Sequence, residues 1–389
     1  MSKTHSNNRK NNIEEVSRQK RYRVPYIDLH AAFLSQRAEM LHTLEDICSS
    51  GRFILRDEVE KFESKIARFL GVKYAIGVGS GTDALVLALK ALGVESGDEV
   101  ITVAHTFVAT IAAIIHSGAT PVLVDICAEG YTMDTDALTK AITPRTKAII
   151  PVHLNGRSCD MDRIRALAAD RGIAIIEDAA QALGTRYKGK MAGALGDAGC
   201  FSFHPMKTLS CFGDGGLVAT DSETVADSIR LYRNHGQRTK SCIALYGHNS
   251  RLDNLQAGVL LTKLNIFSKM LEKKRAIAAR YHQALVDAPD VRLPFPPESE
   301  LYWDAYSSYV IRAMKRDDLQ QYLLSVGIET FAHWHPPLHK QPALGLSGIN
   351  LPVTEEISNE VLSLPIYPEM SDEQIEFVIS SIRNFYEGK

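Results

Sequence analysis

The chain has 389 residues, of which 44 are Lys or Arg and 46 are Asp or Glu, and its formal net charge is -2. A chain of this length can bury a sizeable core in two domains, or in one large domain with a smaller appendage. The balanced charge excludes the strongly basic surface that binding to nucleic acid or to an anionic membrane would require.

The N-terminal segment, residues 1–23, is polar and charged and contains no apolar run, so we interpret it as a flexible tail and not as a secretory signal. Six cysteines are scattered along the chain without a C-x-x-C pair. Free thiols in a reducing compartment explain this spacing better than disulfides or a zinc site, so we expect a cytoplasmic protein.

From Val24 onward, the pattern alternates between strands and helices. It predicts strands at 73–78, 99–103, 121–125, 147–153 and 172–178, and helices at 82–92, 107–116 and 161–171. Repeated βαβ units indicate a largely parallel sheet covered on both faces. After about residue 260 the pattern changes to a long charged helix at 262–287, a Pro-rich segment and shorter elements. We therefore predict a large domain at 24–260 and a smaller C-terminal domain at 261–389.

Two residues at consecutive strand ends indicate a specific chemistry. The apolar run 172–178 places Asp178 at the C-terminal end of a strand, where open α/β sheets bind ligands. Lys207 follows a strand-like run that ends at Ser202. A single loop lysine is usually a solvated surface residue. However, an amine that can form a Schiff base and a carboxylate that can hold a pyridinium proton are the two groups that pyridoxal 5'-phosphate (PLP) requires.

The glycine-rich segment Gly77–Leu85 has more than one interpretation. A dinucleotide-binding G-x-G-x-x-G register is disfavoured because it would need glycine at position 82, which is Thr82. A helix that begins at Ser80-Gly81-Thr82 would form a phosphate cradle, since free backbone N–H groups and the helix dipole favour an anion there. A tight turn with Ser80 or Thr82 as the N-cap explains the same residues equally well.

Ordered motifs along the chain carry a family resemblance. They are Ser80–Leu85, Thr106–Thr110, Glu177–Gly184, Ser202–Lys207 and Gly213–Gly216, with further matches from Val24–Leu29 to Pro365–Pro368. Together they resemble the DegT/DnrJ/EryC1/StrS family of PLP-dependent aminotransferases of nucleotide-linked keto sugars. The resemblance implies an α/β protein with the aspartate-aminotransferase type I fold, in which a large domain with a mostly parallel central sheet flanked by helices is joined to a smaller C-terminal α/β domain.

The resemblance also implies a role for each matching residue. Lys207 would form the Schiff base with PLP and, once displaced, act as the base for proton transfer. Asp178 would pair with the pyridine nitrogen, and Gln181 would lie near the ring hydroxyl. The phosphate would be held by Gly81, Thr82 and Ser202.

Other positions are implied less directly. Phe107 matches an aromatic residue that stacks on the cofactor, although a phenylalanine in an apolar helix is more often part of the core. Asn249 would reach the phosphate of the neighbouring subunit, which implies a homodimer with shared active sites. Arg251 is a candidate substrate-binding residue.

The loop His333–His339 resembles the family's His-Tyr-Pro substrate loop, with Trp334 in place of tyrosine. His333 is therefore a second candidate for substrate binding. His333, His335 and His339 have a spacing that could bind a metal, but transamination needs none and the segment lacks acidic or cysteine ligands. We predict no metal site.

The leading hypothesis is an aminotransferase that moves an amino group from an amino acid, expected to be L-glutamate, to a nucleotide-linked keto sugar. The segment Asn249–Asp253 is similar to members that aminate C3, which favours a 3-keto sugar. One alternative is a sugar dehydratase of the same family, but that branch has histidine in place of the Schiff-base lysine. The other is a non-catalytic regulatory relative, which would be expected to lose Lys207 or Asp178.

Overall fold

The computed structural model describes residues 22–297, 299–346 and 348–388, so the predicted tail lies outside the described residues except for Tyr22 and Arg23. The strands are β1 (Tyr74–Val78), β2 (Glu99–Val103), β3 (Thr120–Val124), β4 (Thr146–Ile149), β5 (Ala174–Asp178), β6 (Arg186–Tyr187), β7 (Lys190–Met191), β8 (Ala198–Ser202), β9 (Gly216–Thr220), β10 (Gln237–Thr239), β11 (Cys242–Ile243), β12 (Val291–Arg292), β13 (Tyr302–Trp303), β14 (Tyr309–Ala313) and β15 (Val361–Leu364).

The helices alternate with these strands in the first half of the chain and dominate the second. They are α1 (Leu29–Leu34), α2 (Arg37–Ser50), α3 (Asp57–Leu70), α4 (Gly81–Ala91), α5 (Val108–His116), α6 (Thr135–Ala141), α7 (Met161–Ala168), α8 (Glu223–Tyr232), α9 (Asn254–Leu264), α10 (Phe267–Leu285), α11 (Arg316–Ser325), α12 (Pro352–Glu360) and α13 (Asp372–Glu387). No helix among the described residues is both long enough and apolar enough to cross a membrane.

A seven-stranded sheet in the order β1-β9-β8-β5-β4-β2-β3 organises the first part of the fold. The neighbours from β8 to β3 pair in parallel, while β9 is antiparallel to both β8 and β1. The strands that connect through helices have near-continuous apolar sequences, because both faces of a parallel sheet are buried. This confirms the predicted mostly parallel sheet, and it brings the C-terminal ends of β5 and β8 side by side.

The long helix predicted at 262–287 is confirmed as α10, but its predicted start is wrong because residues 262–264 belong to the preceding helix, α9. The two helices are separated at Asn265 and Ile266. The break lets Phe267, the first residue of α10, enter the core, where its ring lies 5.6 Å from that of Phe69. The charged periodicity continues across the break, so the pattern alone did not reveal it.

A second, three-stranded antiparallel sheet, β12-β14-β15, lies in the C-terminal part of the chain. Helix α10 contributes to two apolar clusters: its early residues pack with Phe62 and Phe201, and its later residues, including Tyr281, pack with Tyr309. The change of partners falls within α10, between Leu271 and Ile277, so this helix connects the two clusters. The domain division predicted from the sequence, 24–260 and 261–389, remains our proposal.

Candidate active site

A cavity of about 340 Å³ lies at the C-terminal ends of β5 and β8. It brings together eight of the residues that the sequence singled out, which are Gly81, Thr82, Phe107, Asp178, Gln181, Ser202, Lys207 and His333. These residues are separated by as many as 252 positions in the chain (333 minus 81). Their convergence is the main structural support for one shared site.

Lys207 lies in a turn that follows β8, where its backbone N–H donates to the carbonyl of His204 at 2.8 Å. The side chain is half-buried and lines the cavity. Burial lowers the pKa of the Lys207 amine below its ordinary value, although the charge of Asp178 acts in the opposite direction. A lowered pKa increases the fraction of neutral amine, which is the nucleophilic form.

Asp178 ends β5 and is only 6% exposed. Its Oδ2 accepts a hydrogen bond from the Thr110 hydroxyl at 2.8 Å, and its Oδ1 accepts one from the Ala180 N–H at 3.2 Å. Burial raises the pKa of this carboxyl group, while the Thr110 and Ala180 hydrogen bonds partly counteract it. The carboxylate is therefore held in one orientation in a setting where a positively charged partner would be strongly favoured.

The N-terminus of α4 forms a narrow cradle beside Ser202. Ser80 is the N-cap and its Oγ accepts from the Asp83 N–H at 3.1 Å, so the capping interpretation is confirmed. The first N–H groups of a helix, here those of Gly81 and Thr82, have no partner within the helix. A Cβ on Gly81 would lie 2.7 Å from the Ser202 Cβ, so only glycine permits this close approach. The cap does not exclude an anion at these N–H groups, and the phosphate cradle stays a prediction.

Phe107 immediately precedes α5, and its side chain is 59% exposed. Its ring meets the ring of Trp334 edge-on, with 6.0 Å between centroids. The alternative that Phe107 belongs to the core is wrong. Phe107 lies just before the first residue of α5, and from there its side chain reaches the cavity wall. An exposed ring at this position presents a flat apolar surface to whatever occupies the cavity.

Gln181 and His333 bound other parts of the cavity. The Gln181 Oε1 accepts from the Asn155 N–H at 2.8 Å, which fixes the orientation of its amide group. His333 Nδ1 hydrogen-bonds Ser363 Oγ at 2.7 Å, and its ring is stacked on that of Trp334. Burial, together with the positive charge of Lys207, lowers the pKa of His333 to about 4. The imidazole is therefore neutral near pH 7.

The other loop histidines face different surroundings. His339 is buried and its Nε2 lies 3.1 Å from Glu355 Oε1, whereas His335 is exposed. In the described part of the chain, no group of three or more His, Cys, Asp or Glu side chains is arranged to hold a metal ion.

Asn249 and Arg251 do not line the cavity of this chain. Asn249 is exposed and forms an isolated antiparallel bridge with Asn234, while an Arg251 guanidinium nitrogen donates to Asn234 Oδ1 at 3.3 Å. Between them, Ser250 is buried and its Oγ donates to Asp83 Oδ2 at 2.8 Å. The segment is thus anchored close to the start of α4, but its two predicted site residues lie outside the cavity.

Two residues of the site were not assigned by the sequence reasoning. Thr110 holds Asp178, and the pair of hydroxyl residues Thr106, just before α5, and Thr110, in its first turn, was the available signal. Trp334 lines the cavity, and its indole N–H is buried without a hydrogen-bond partner in the described structure.

The α/β fold, with a lysine, a buried carboxylate and a helix N-terminus in one cavity, defines an enzyme of the aminotransferase type. The chain belongs to the DegT/DnrJ/EryC1/StrS aminotransferase family, whose model matches residues 35–383. This confirms the family that the ordered motifs predicted.

Two curated relatives illustrate the range of names within the family. The chain is 42% identical over 366 residues to the "Pleiotropic regulatory protein" of Geobacillus stearothermophilus, covering 93% of this chain and 98% of the relative. It is 41% identical over 375 residues to the dTDP-3-amino-3,4,6-trideoxy-alpha-D-glucose transaminase of Streptomyces venezuelae, covering 95% and 98%.

Solved structures match the whole fold. S. venezuelae DesV in complex with a ketimine intermediate aligns with a TM-score of 0.91 at 41% identity, covering 94% of this chain and 99% of DesV. The Bacillus subtilis protein ntda, with bound cofactor pmp, aligns with a TM-score of 0.87 at 32% identity, covering 94% of this chain and 85% of ntda. These alignments confirm the predicted fold class.

Proposed function

We propose that this protein is a PLP-dependent aminotransferase that moves an amino group from an amino acid, L-glutamate, to a nucleotide-linked 3-keto sugar. The observation that carries the proposal is the convergence of Lys207, Asp178 and the α4 N-terminus in one cavity. These three features correspond to the aldehyde, the pyridine nitrogen and the phosphate of one cofactor.

The residues present fit PLP. Gly81 leaves room for an anion against Ser202, where a Cβ would fill the cradle. Asp178 is a buried carboxylate whose two described hydrogen-bond donors are both uncharged, and the charges of Lys207 and His153 act on it without a hydrogen bond. A protonated ring nitrogen would supply a hydrogen-bonded cationic partner. Phe107 offers an exposed ring face. When bound, PLP supplies an electron sink for the electron pair left on the substrate carbon after its proton is removed.

Residues of the chain have separate roles in moving and holding protons. The Lys207 amine, whose pKa is lowered by burial, would take the proton from the substrate carbon. It would then deliver that proton to the cofactor carbon that had carried the aldehyde. Asp178 keeps the ring nitrogen protonated by charge pairing, and Thr110 holds Asp178 in place. The neutral imidazole of His333, which lines the cavity, is a group that can position the sugar without adding charge.

The substrate class rests on the relatives. The S. venezuelae relative is named as a transaminase for a dTDP-linked 3-amino sugar, and its identity of 41% extends over 95% of this chain. This supports amination at C3, which the Asn249–Asp253 segment also favours. The six free cysteines support the proposed cytoplasmic location.

The alternatives explain the site less well. The dehydratase branch resembles this family with histidine at the Schiff-base position, whereas Lys207 is present and lines the cavity. A regulatory role is suggested by the name of the G. stearothermophilus relative. A protein with only that role would have no need for a partly buried lysine opposite a buried carboxylate.

We also propose a homodimer with shared sites. Asn249 and Arg251 lie outside the cavity of their own chain, as residues that serve a second subunit would. Two large exposed apolar residues contact this region: Ile54 forms an isolated bridge with Asp253, and the Phe53 carbonyl accepts from the Asn254 N–H. Exposed apolar groups of this size commonly mark an interface, and a C2 axis would place the same patch on both subunits.

A two-step half-reaction experiment tests the function. The PLP-loaded protein is first treated with L-glutamate, and conversion to the pyridoxamine 5'-phosphate (PMP) form is followed by its absorbance and by release of 2-oxoglutarate. Nucleotide-linked 3-keto and 4-keto sugars are then added separately to ask which one restores the original spectrum. We expect recovery with a 3-keto sugar.

Lys207→Ala is the negative variant and Lys269→Ala, an exposed lysine on α10, is the matched control. No spectral change with any amino acid in the PLP-loaded protein would contradict the aminotransferase proposal. Recovery with 4-keto sugars alone would contradict the assignment to C3.

A further inference from the structure

Lys274 is a buried lysine outside the site described above. It lies on α10, is 4% exposed, and directs its Nζ between two segments that are distant in the sequence. The amine donates to the Thr208 Oγ1 at 3.1 Å and to the Ser307 carbonyl at 3.0 Å. Both acceptors are uncharged.

The burial of this amine needs an explanation. A lysine usually keeps its amine in water and buries only its carbon chain. Burial lowers the pKa of Lys274 to about 7, and the negative charge of Glu369 offsets this only in part. An apolar residue of similar length would fill the same space without a desolvation cost. The two hydrogen bonds are therefore the specific contribution that the amine makes.

These hydrogen bonds connect two walls of the catalytic cavity. Thr208 directly follows Lys207, and Ser307 lines the cavity. The next residue, Ser308, also lines it and its Oγ accepts from the Tyr26 hydroxyl at 3.1 Å. Lys274 thus joins the residue after Lys207 to the segment that forms another part of the cavity wall.

A second buried lysine provides an internal comparison. Lys263, on α9, donates to the Ser210 carbonyl at 2.7 Å and to the Ser210 Oγ at 2.9 Å. It therefore holds the same segment three residues beyond Lys207, but both of its hydrogen bonds go to one residue. Lys274 alone of these two lysines connects the segment to the cavity wall.

We infer that Lys274 is a positioning residue that fixes Lys207 for covalent attachment of PLP, acting through Thr208. In this attachment the neutral Lys207 amine forms a C=N bond with the PLP aldehyde and one water is released. The inference rests on the proposed function, because it requires PLP to occupy the cavity. It assigns Lys274 no contact with the cofactor or the substrate.

The test compares two forms of the cofactor on the full-length apoprotein. PLP binding includes the bond to Lys207, whereas PMP carries an amine in place of the aldehyde and cannot form that bond. In Lys274→Met we expect PLP affinity to fall about tenfold, which corresponds to the loss of one buried hydrogen bond to a charged or polar group. PMP affinity should change by less than about threefold, since its phosphate and ring contacts remain.

Thr208→Val is the second variant, because it removes only the hydroxyl that Lys274 contacts and keeps the shape of the side chain. It should show the same selective loss of PLP affinity, and the double variant should be no worse than Lys274→Met. Lys269→Met, on the exposed side of α10, is the control and should leave both affinities unchanged.

Three results would overturn the inference. Equal losses of PLP and PMP affinity would mean that Lys274 only maintains the shape of the cavity. Unchanged PLP affinity in Lys274→Met, or in Thr208→Val if Lys274→Met does not fold, would show that Lys207 needs no such support. Additive effects in the double variant would exclude action through Thr208. Failure of the wild-type protein to bind PLP would instead contradict the proposed function.

Discussion

Replacing Asp178 with Asn is expected to stabilise the apoprotein while removing most of its activity. The carboxylate is buried, and its two described donors, Thr110 and Ala180, are both uncharged. In the Asn variant, the amide oxygen can still accept from Ala180. The amide N–H can donate to Thr110, whose hydroxyl then donates to Thr106, 2.9 Å away. The hydrogen bonds are thus kept in number, and what disappears is a buried negative charge whose desolvation outweighs the attraction of Lys207 and His153.

The gain in the free energy of unfolding should be about 1–3 kcal/mol near pH 7, the range expected for removing an incompletely compensated buried polar or charged group. The sign of its pH dependence follows from the pKa of Asp178, which burial raises. A carboxyl group whose pKa is higher in the folded state destabilises that state above the folded pKa. This penalty disappears as the pH falls towards the pKa of an aspartate in the unfolded state, which is about 3.9. The advantage of the Asn variant should therefore shrink as the pH is lowered.

The loss of activity follows from the removal of the same charge when PLP is bound. Without the Asp178 charge, the protonated ring nitrogen of bound PLP loses its partner, and kcat should fall by about 10²–10³, as for other preorganised groups that stabilise charge. Urea denaturation of the apoprotein at several pH values measures the first effect, and steady-state kinetics measure the second. An Asn variant that is less stable than the wild type near pH 7, or equally active, would refute this reasoning.

Glu177→Gln, at the adjacent residue, is a matched control with the opposite expected sign. The Glu177 carboxylate accepts four hydrogen bonds, from the N–H groups of Gly193, Leu195 and Gly196 and from the His153 ring. A glutamine amide nitrogen cannot accept any of them. At least one buried donor would lose its partner, so this variant should be destabilised by about 1–3 kcal/mol.

Three other predictions concern the cofactor and the assembly. Lys207→Ala should abolish turnover but still bind PMP, since the phosphate cradle and the buried carboxylate remain; turnover near the wild-type rate would exclude its role in covalent attachment. Gly81→Ala should weaken PLP and PMP equally, by tenfold or more as a rough estimate, because the new Cβ would lie 2.7 Å from Ser202; unchanged binding measured by fluorescence titration would place the phosphate elsewhere. Mixing Lys207→Ala subunits with an inactive variant altered at Asn249 and Arg251 should restore activity, because one site in each heterodimer would be intact; no recovery, despite demonstrated subunit exchange, would show that each chain builds its own site.

Much of the site was predictable because it lies where regular elements end. The apolar run before Asp178 identified a buried strand, and the turn after it had to lie at the ligand-binding edge of a parallel sheet. The same reasoning placed Lys207 one strand away, and both side chains line the cavity. The start of α4 could also be predicted, since Ser80 and Gly81 are residue types that are common at a capped helix N-terminus.

The sequence alone also fixed the family, through the order of motifs that are individually weak, and it determined that the central sheet is mostly parallel. Tertiary packing determined the features that follow. Phe107 could have been core or cavity wall, and only the point where α5 begins settled its exposure. The start of α10 at Phe267 and the hydrogen bond from Lys274 to Thr208 could not be predicted, because periodicity indicates which face of a helix is buried and not which distant residue that face contacts. Contacts of that kind exist only once the tertiary structure brings separate segments within hydrogen-bonding distance.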